Sequence, residues 1–145
     1  MRSHGFFTTD NNEGCSAAPP TIMSCLAWNC QRLRGPGKVR ELENLIRALN
    51  PSLVFLSETR CSVPFIEKMK RKFSMFGVGV NSVGKSGGIA LPWTKELDVS
   101  VQSLSKHHID AHINSLDRMI NWRLTGVYGE SDASRRKTFW KLLQS

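Results

Sequence analysis

Two short stretches end in side chains able to hold a hard cation. "LAWNCQ" carries Asn29, and "LVFLSE" closes on Glu58. A glutamate supplies anionic oxygen of the kind Mg²⁺ prefers, and an asparagine amide both accepts and donates beside it. A third run, "WRLTGVYG", leads into Tyr128, whose hydroxyl can reach a phosphate oxygen. The chemistry such a set points to is cation binding next to a phosphate. A plainer reading exists: Asn29 opens a turn, Glu58 pairs with Arg60 at the surface, and Tyr128 is core. On spacing alone the plainer reading is preferred.

The elements that would position these residues are legible from periodicity. Val39, Leu42, Leu45, Ile46 and Leu49 recur at helical spacing between Lys38 and Leu49, with Arg40, Glu41, Glu43 and Arg47 opposite. Asn50 and Pro51 end this helix, because a residue preceding proline avoids the α region. "SCLAWNC" before it and "SLVFLS" after it read as strands, giving a βαβ unit. Parallel strands joined this way deliver Asn29 and Glu58 to one sheet edge, where open α/β sheets bind ligands. A second helix is predicted over residues 63–73, with Ile66, Met69 and Phe73 inward and Lys68, Lys70, Arg71 and Lys72 on the wet side. That basic run suits a nuclear address or a phosphate-facing patch, and also an ordinary solvated face.

From Phe76 onward the period shortens to two. "GGIALPW", "LDVSVQSLS", "HIDAHI" and "INWRLTGVY" read as sequential strands. In "HHIDAHI" one face is Ile109, Ala111 and Ile113; the other is His108, Asp110 and His112. The polar trio suits either a metal cluster or, more simply, a wet strand face. A closing helix is expected from Ser134 to Leu143, with Phe139, Leu142 and Leu143 inward. Residues 1–22 show no sustained period and read as a disordered leader or as sequence ahead of an internal Met23. The ordered domain is therefore expected over residues 23–145.

Composition sets bounds on function. The chain has 145 residues, 40% hydrophobic and 22% charged, enough for one globular domain with its own core. No apolar run is long enough to span a membrane, and no secretory signal is evident, so an intracellular location is expected. A net charge of +8 suits a polyanionic partner such as nucleic acid. Cys15, Cys25, Cys30 and Cys61 lack zinc spacing and read as free thiols. "GVNSVGKS", Gly79 to Ser86, fits a phosphate-binding loop, but the "GGIALPW" that follows argues for a strand where that motif requires a helix. A turn feeding a strand is the better reading.

Five stretches, "LAWNCQRL", "PSLVFLSETR", "VGKSGGIALPW", "HHIDAHI" and "WRLTGVYGE", occur in an order that resembles the endonuclease/exonuclease/phosphatase superfamily. They are most similar to the version at the front of plant non-LTR (LINE-type) retrotransposon polyproteins, and the resemblance covers about residues 23–143. It implies an α/β (α+β) deoxyribonuclease-I-like sandwich of two sheets flanked by helices, present as its N-terminal part. It also implies Glu58 and Asn29 as metal-binding residues for Mg²⁺, Tyr128 as a phosphate contact, and DNA, or RNA, as partner. The family's second acid, Asp–Asn pair and terminal Asp–His pair have no counterpart here. The implied protein is thus a truncated endonuclease domain, ancestrally DNA-nicking and inactive as this chain. A non-catalytic nucleic-acid-binding module and a phosphatase for another phosphoester are the alternatives. Two departures stand out: Arg32 where the family places glycine, and Pro92 in a strand, tolerable only at an edge or bulge. A sandwich lacking part of its second sheet would leave an apolar face open and favour self-association.

Overall fold

A computed structural model describes residues 5–11, 21–83, 87–115, 121–128 and 137–144. Its elements run β1 (Gly5–Asn11), β2 (Thr21–Asn29), α1 (Lys38–Leu49), β3 (Leu53–Ser57), α2 (Val63–Phe73), β4 (Phe76–Val80), β5 (Ile89–Trp93), β6 (Leu97–Leu104), β7 (His108–Ser115), β8 (Asn121–Tyr128) and β9 (Lys137–Gln144). They form one five-stranded sheet in the order β4-β5-β3-β2-β9 and one four-stranded sheet in the order β1-β8-β7-β6.

The predicted βαβ unit is present. β2 and β3 are parallel neighbours, with Cys25 opposite Leu53 and Asn29 opposite Ser57. α1 crosses between them and stops at Asn50, whose left-handed backbone lets its N–H return to the Ile46 carbonyl at 2.8 Å. α2 also occupies its predicted span, with Ile66 and Met69 buried. Lys70 departs from the expected wet face. Its ammonium folds back onto the Gly77 carbonyl at 2.7 Å and onto Glu67 at 2.8 Å.

Side-chain alternation divides the core in two. Met23, Cys25, Leu53, Phe55, Ile89 and Leu91 of the first sheet face Ile109, Ala111, Ile113, Trp122 and Leu124 of the second. On the other side of the first sheet, Leu26, Trp28, Val54, Leu56 and Ala90 meet Leu42 of α1 and Ile66 and Met69 of α2. β3 is buried on both faces because it is covered on both, which explains its continuous apolar run. The apolar inner face expected to lie open is therefore closed among the described residues. Ile109, Ala111, Ile113 and Leu124 are each fully buried. The two sheets cover one another across the β3–β8 region.

Three expectations about elements are corrected. The segment 5–11, read as part of a leader without order, is β1, antiparallel to β8 with Phe6 opposite Val127. Of the segment read as a closing helix, residues 137–143 belong to β9, antiparallel to β2 with Phe139 opposite Leu26, and residues 134–136 lie outside the described residues. In both cases the deciding interaction is the unsatisfied hydrogen-bonding edge of a distant strand, to which local periodicity is blind. Pro92 lies in β5, an interior strand. The β3–β5 ladder pairs Leu53 with Trp93 and Leu56 with Ala90, with no pairing at Pro92, which has no N–H to donate. On its other side Pro92 faces Gly77, where a β-carbon would lie 2.6 Å from the Leu91 carbonyl oxygen. β4 was itself not foreseen.

Asp110 sits on the outward face of β7 as expected, but it is buried and already satisfied. Arg123 grips its carboxylate with two hydrogen bonds of 3.2 and 2.8 Å, and Thr125 adds a third at 3.3 Å. The Arg123 hydrogen bonds hold its pKa below the usual carboxylate value. His108 is engaged by Ser103 and Ser105, at 2.9 and 2.6 Å. Asp110 and His108 are thus engaged by side chains of the same sheet, and His112 is exposed.

Two predictions follow from packing. At Gly126 of β8 a β-carbon would lie 2.5 Å from the Phe55 ring, at the contact between the sheets. Gly126→Ala should lower unfolding free energy by about 1–3 kcal/mol in urea titrations, and Phe55→Leu should recover part of that loss in the double variant. Asp110 contributes stability that is full above its unfolded-state pKa and lost as pH falls through its depressed folded-state value. Wild type should therefore exceed Asp110→Asn in stability at neutral pH, with the two curves converging as acid unfolding is followed below about pH 4.

Candidate metal centre

The backbone that carries Asn29 and Glu58 continues the parallel pairing past the strand ends. Cys30 N–H donates to the Ser57 carbonyl at 3.0 Å, Arg32 N–H to that of Glu58 at 2.7 Å, and Leu33 N–H to that of Thr59 at 2.8 Å. Gln31 and Arg32 adopt positive φ of 46° and 80°, and Glu58 and Arg60 both adopt 52°. Four non-glycine residues in the left-handed region mark two sharp turns held together by tertiary hydrogen bonds. Arg32 thus occupies the conformation that favours glycine, and its side chain is exposed. The turn survives because the Arg32 N–H is tied to the Glu58 carbonyl.

Gly87 and Gly88, which end the "GKSGG" run, are the second support. Thr59 N–H donates to the Gly88 carbonyl at 3.0 Å and Arg60 N–H to that of Gly87 at 2.9 Å. Gly87 and Gly88 have φ of 80° and 89°, and a β-carbon on Gly88 would collide with the Thr59 hydroxyl. Gly88 is needed for close approach to the loop bearing Glu58, and Gly87 for its left-handed backbone alone. β5 follows at once, so the strand context expected against a nucleotide-binding loop is present; residues 84–86 of that motif lie outside the described residues.

Asn29 and Glu58 are each 4% exposed and close neighbouring parallel strands. The Glu58 carboxylate meets Arg60 through one oxygen, Oε1 to Nη2 at 3.0 Å. Its other oxygen, Oε2, is buried and accepts no hydrogen bond. A buried carboxylate oxygen without a donor is costly unless a cation serves it. Oxygen donors from a carboxylate and an amide suit Mg²⁺. The residues present therefore fit a hard cation held by Glu58 and Asn29. No group of three or more His, Cys, Asp or Glu side chains able to hold a metal occurs among the described residues.

Tyr128 ends β8 in the second sheet, opposite Gly5 of β1. The backbone thus carries it on a different sheet from the pair formed by Asn29 and Glu58.

Several participants were missed in the sequence. Lys38 is 7% exposed; its ammonium donates to the Cys30 carbonyl at 2.7 Å and lies 5.7 Å from the Trp28 ring centroid. It pins the loop that follows Asn29. Its position at the start of α1, after "RGPG", was the available signal. Arg34 lies 5.1 Å over the Phe65 ring, joining the same loop to α2. Cys30 and Cys61 are buried beneath the site, and burial raises both thiol pKa values; that of Cys25 is pushed up to about 12. These three are free thiols, as expected.

No family model and no curated protein matches this sequence. Solved structures do. The chain is similar to an AP endonuclease from Archaeoglobus fulgidus, with 20% identity and a TM-score of 0.50 over 64% of this chain and 40% of that one. It is similar to AP endonuclease LMAP from Leishmania major, with 16% identity and a TM-score of 0.52 over 68% and 38%. A third is D. rerio TDP2 complexed with a single-strand DNA product, with 15% identity and a TM-score of 0.51 over 70% and 44%. The fold is the deoxyribonuclease-I-like fold of these proteins, as the order of motifs implied. The chain spans about two fifths of the length of the structures it matches.

Arg32 supplies a direct test of this loop. Arg32→Gly relieves a left-handed residue at the cost of a more flexible unfolded chain, a net gain of about 0.5–1 kcal/mol. Thermal unfolding should show a higher midpoint for Arg32→Gly and none for Arg32→Ala, which keeps the strain.

Proposed function

We propose that this chain is the metal-binding front portion of a deoxyribonuclease-I-like phosphodiesterase domain, derived from a plant LINE-type retrotransposon. Its ancestral reaction is Mg²⁺-dependent nicking of DNA, and the chain alone does not turn over. One observation carries the reading: a buried carboxylate at the end of a parallel strand, beside Asn29, with one oxygen unserved by any hydrogen bond. Bound there, Mg²⁺ would supply Lewis-acid polarisation of a phosphate oxygen and stabilise the leaving alkoxide.

The chain's own residues have distinct tasks in this proposal. Glu58 provides the charge that attracts the cation, and Asn29 provides a neutral oxygen beside it. The Gly87 and Gly88 carbonyls and the Arg32 N–H hold the Glu58 loop rigid, so little reorganisation is needed on binding. Tyr128 contacts the scissile phosphate. Among the described residues, none is placed to activate water. His108 has both ring nitrogens engaged by serines in the β6–β7 region, and no further acid or histidine joins Glu58 in a metal-binding group among the described residues.

A second reading rests on charge. With a net +8 and exposed Arg32, Arg34, Arg40, Lys68, Arg71 and Lys72, the chain can bind nucleic acid with no chemistry at all. In this form it is a DNA- or RNA-binding module in the nucleus.

Supercoiled plasmid incubated with the chain and Mg²⁺ should remain un-nicked, with folding confirmed by circular dichroism. Nicking that disappears with EDTA and with Glu58→Gln would overturn the inactivity and retain the metal site. DNA affinity should fall steeply with salt. A salt slope and affinity unaltered by EDTA and by Glu58→Gln would favour the binding module.

A further inference from the structure

Arg60 raises a separate question, because it places a positive charge where a metal ion is expected. The Glu58 side chain is only 5% exposed, and a lone carboxylate in that setting is strongly disfavoured. The Arg60 guanidinium reaches Oε1 at 3.0 Å and supplies the missing charge. Two left-handed residues, Glu58 and Arg60, with Thr59 between them, aim the two side chains together. Thr59 is fully buried and its N–H is fixed to Gly88, while the Arg60 N–H is fixed to Gly87. The backbone of Arg60 is thus anchored, yet its side chain is 36% exposed at the end of a flexible stem. It can leave Glu58 without disturbing the loop.

We propose that Arg60 is the resident counter-cation of Glu58 and that a phosphodiester anion draws it away, so that divalent cation and phosphodiester bind synergistically. The inference rests on the metal site proposed above. With Arg60 on Oε1, an incoming divalent ion meets a like charge within a few ångströms, which lowers its affinity. Guanidinium binds phosphate oxygens as readily as carboxylate oxygens, through the same planar fork. A phosphodiester at the site therefore offers Arg60 a second partner and frees Glu58 for the metal. By linkage, the metal raises phosphodiester affinity by the same factor. The device keeps the carboxylate neutralised in the absence of substrate and ties metal occupancy to the presence of a phosphodiester.

The test uses Mn²⁺ as the probe, with free ion followed by electron paramagnetic resonance, in the presence and absence of dimethyl phosphate. Glu58→Gln reports any Mn²⁺ held by the phosphodiester alone. Arg60→Gln should bind Mn²⁺ about three- to tenfold more tightly than wild type at low ionic strength. Dimethyl phosphate should tighten Mn²⁺ binding to wild type and leave Arg60→Gln unchanged; Arg60→Lys, which keeps the charge without the fork, should fall between. In the metal-free state Arg60→Gln should unfold at lower urea than wild type, and adding Glu58→Gln should remove that loss. That arm identifies the charge pair even if Arg60→Gln is only marginally folded. Equal Mn²⁺ affinity in wild type and Arg60→Gln, or synergy retained without Arg60, overturns the role of Arg60 and leaves the metal site standing. Absence of Mn²⁺ binding in every folded variant overturns the metal site and this inference with it.

Discussion

A carboxylate withdrawn from water at the end of a core strand requires a compensating positive charge, and the surroundings of Glu58 are built around that requirement. β3 is buried on both faces, so the chain leaving it has no immediate route to solvent. The backbone turns sharply at Glu58, and the turn is held on one side by the loop after β2 and on the other by Gly87 and Gly88. Each support is a backbone hydrogen bond, which constrains position without consuming the carboxylate's own acceptor capacity. One oxygen of Glu58 goes to Arg60 and the other accepts no hydrogen bond. Stability alone would favour satisfying both oxygens, and the unserved one is the feature on which the proposed metal site rests.

The same constraint accounts for the irregular backbone nearby. Gln31, Arg32, Glu58 and Arg60 all hold a conformation that L-residues avoid, and none is glycine. Such residues persist where tertiary bonds over-determine them. Lys38 contributes from beneath, tying the Cys30 carbonyl to the start of α1. The helix layer and the site are thereby coupled: α1 packs on the first sheet through Leu42, and its first residue locks the loop beside Asn29.

Across the sandwich, contact is made by Phe55 of β3 against Gly126 of β8. That contact sets the spacing between the sheet that carries Asn29 and Glu58 and the sheet that carries Tyr128. A fold shared with AP endonucleases and TDP2 at 15–20% identity is maintained by such packing relations more than by residue identity. The charge of the chain, in contrast, says nothing about the fold and bears on its partners.

Much of the fold that carries Asn29 and Glu58 was readable in advance. Helical spacing located α1 and α2, because each buries one stripe against a sheet, and alternation located β6, β7 and β8 for the corresponding reason. The parallel pairing of β2 and β3 followed from the short crossover between them. Local pattern misread the two ends of the chain, where β1 and β9 are strands only because β8 and β2 offer unpaired edges. It could not show that Asp110 belongs to Arg123, since that pairing depends on the β7–β8 register. By itself, then, the sequence determined which residues lie on helices and central strands, and that Asn29 and Glu58 emerge at one edge. Tertiary structure decided which edges are filled, which carboxylate is satisfied, and that Arg60 stands beside Glu58. Those outcomes depend on hydrogen-bond edges and charges brought together from distant parts of the chain or by a turn, and a one-dimensional pattern records neither.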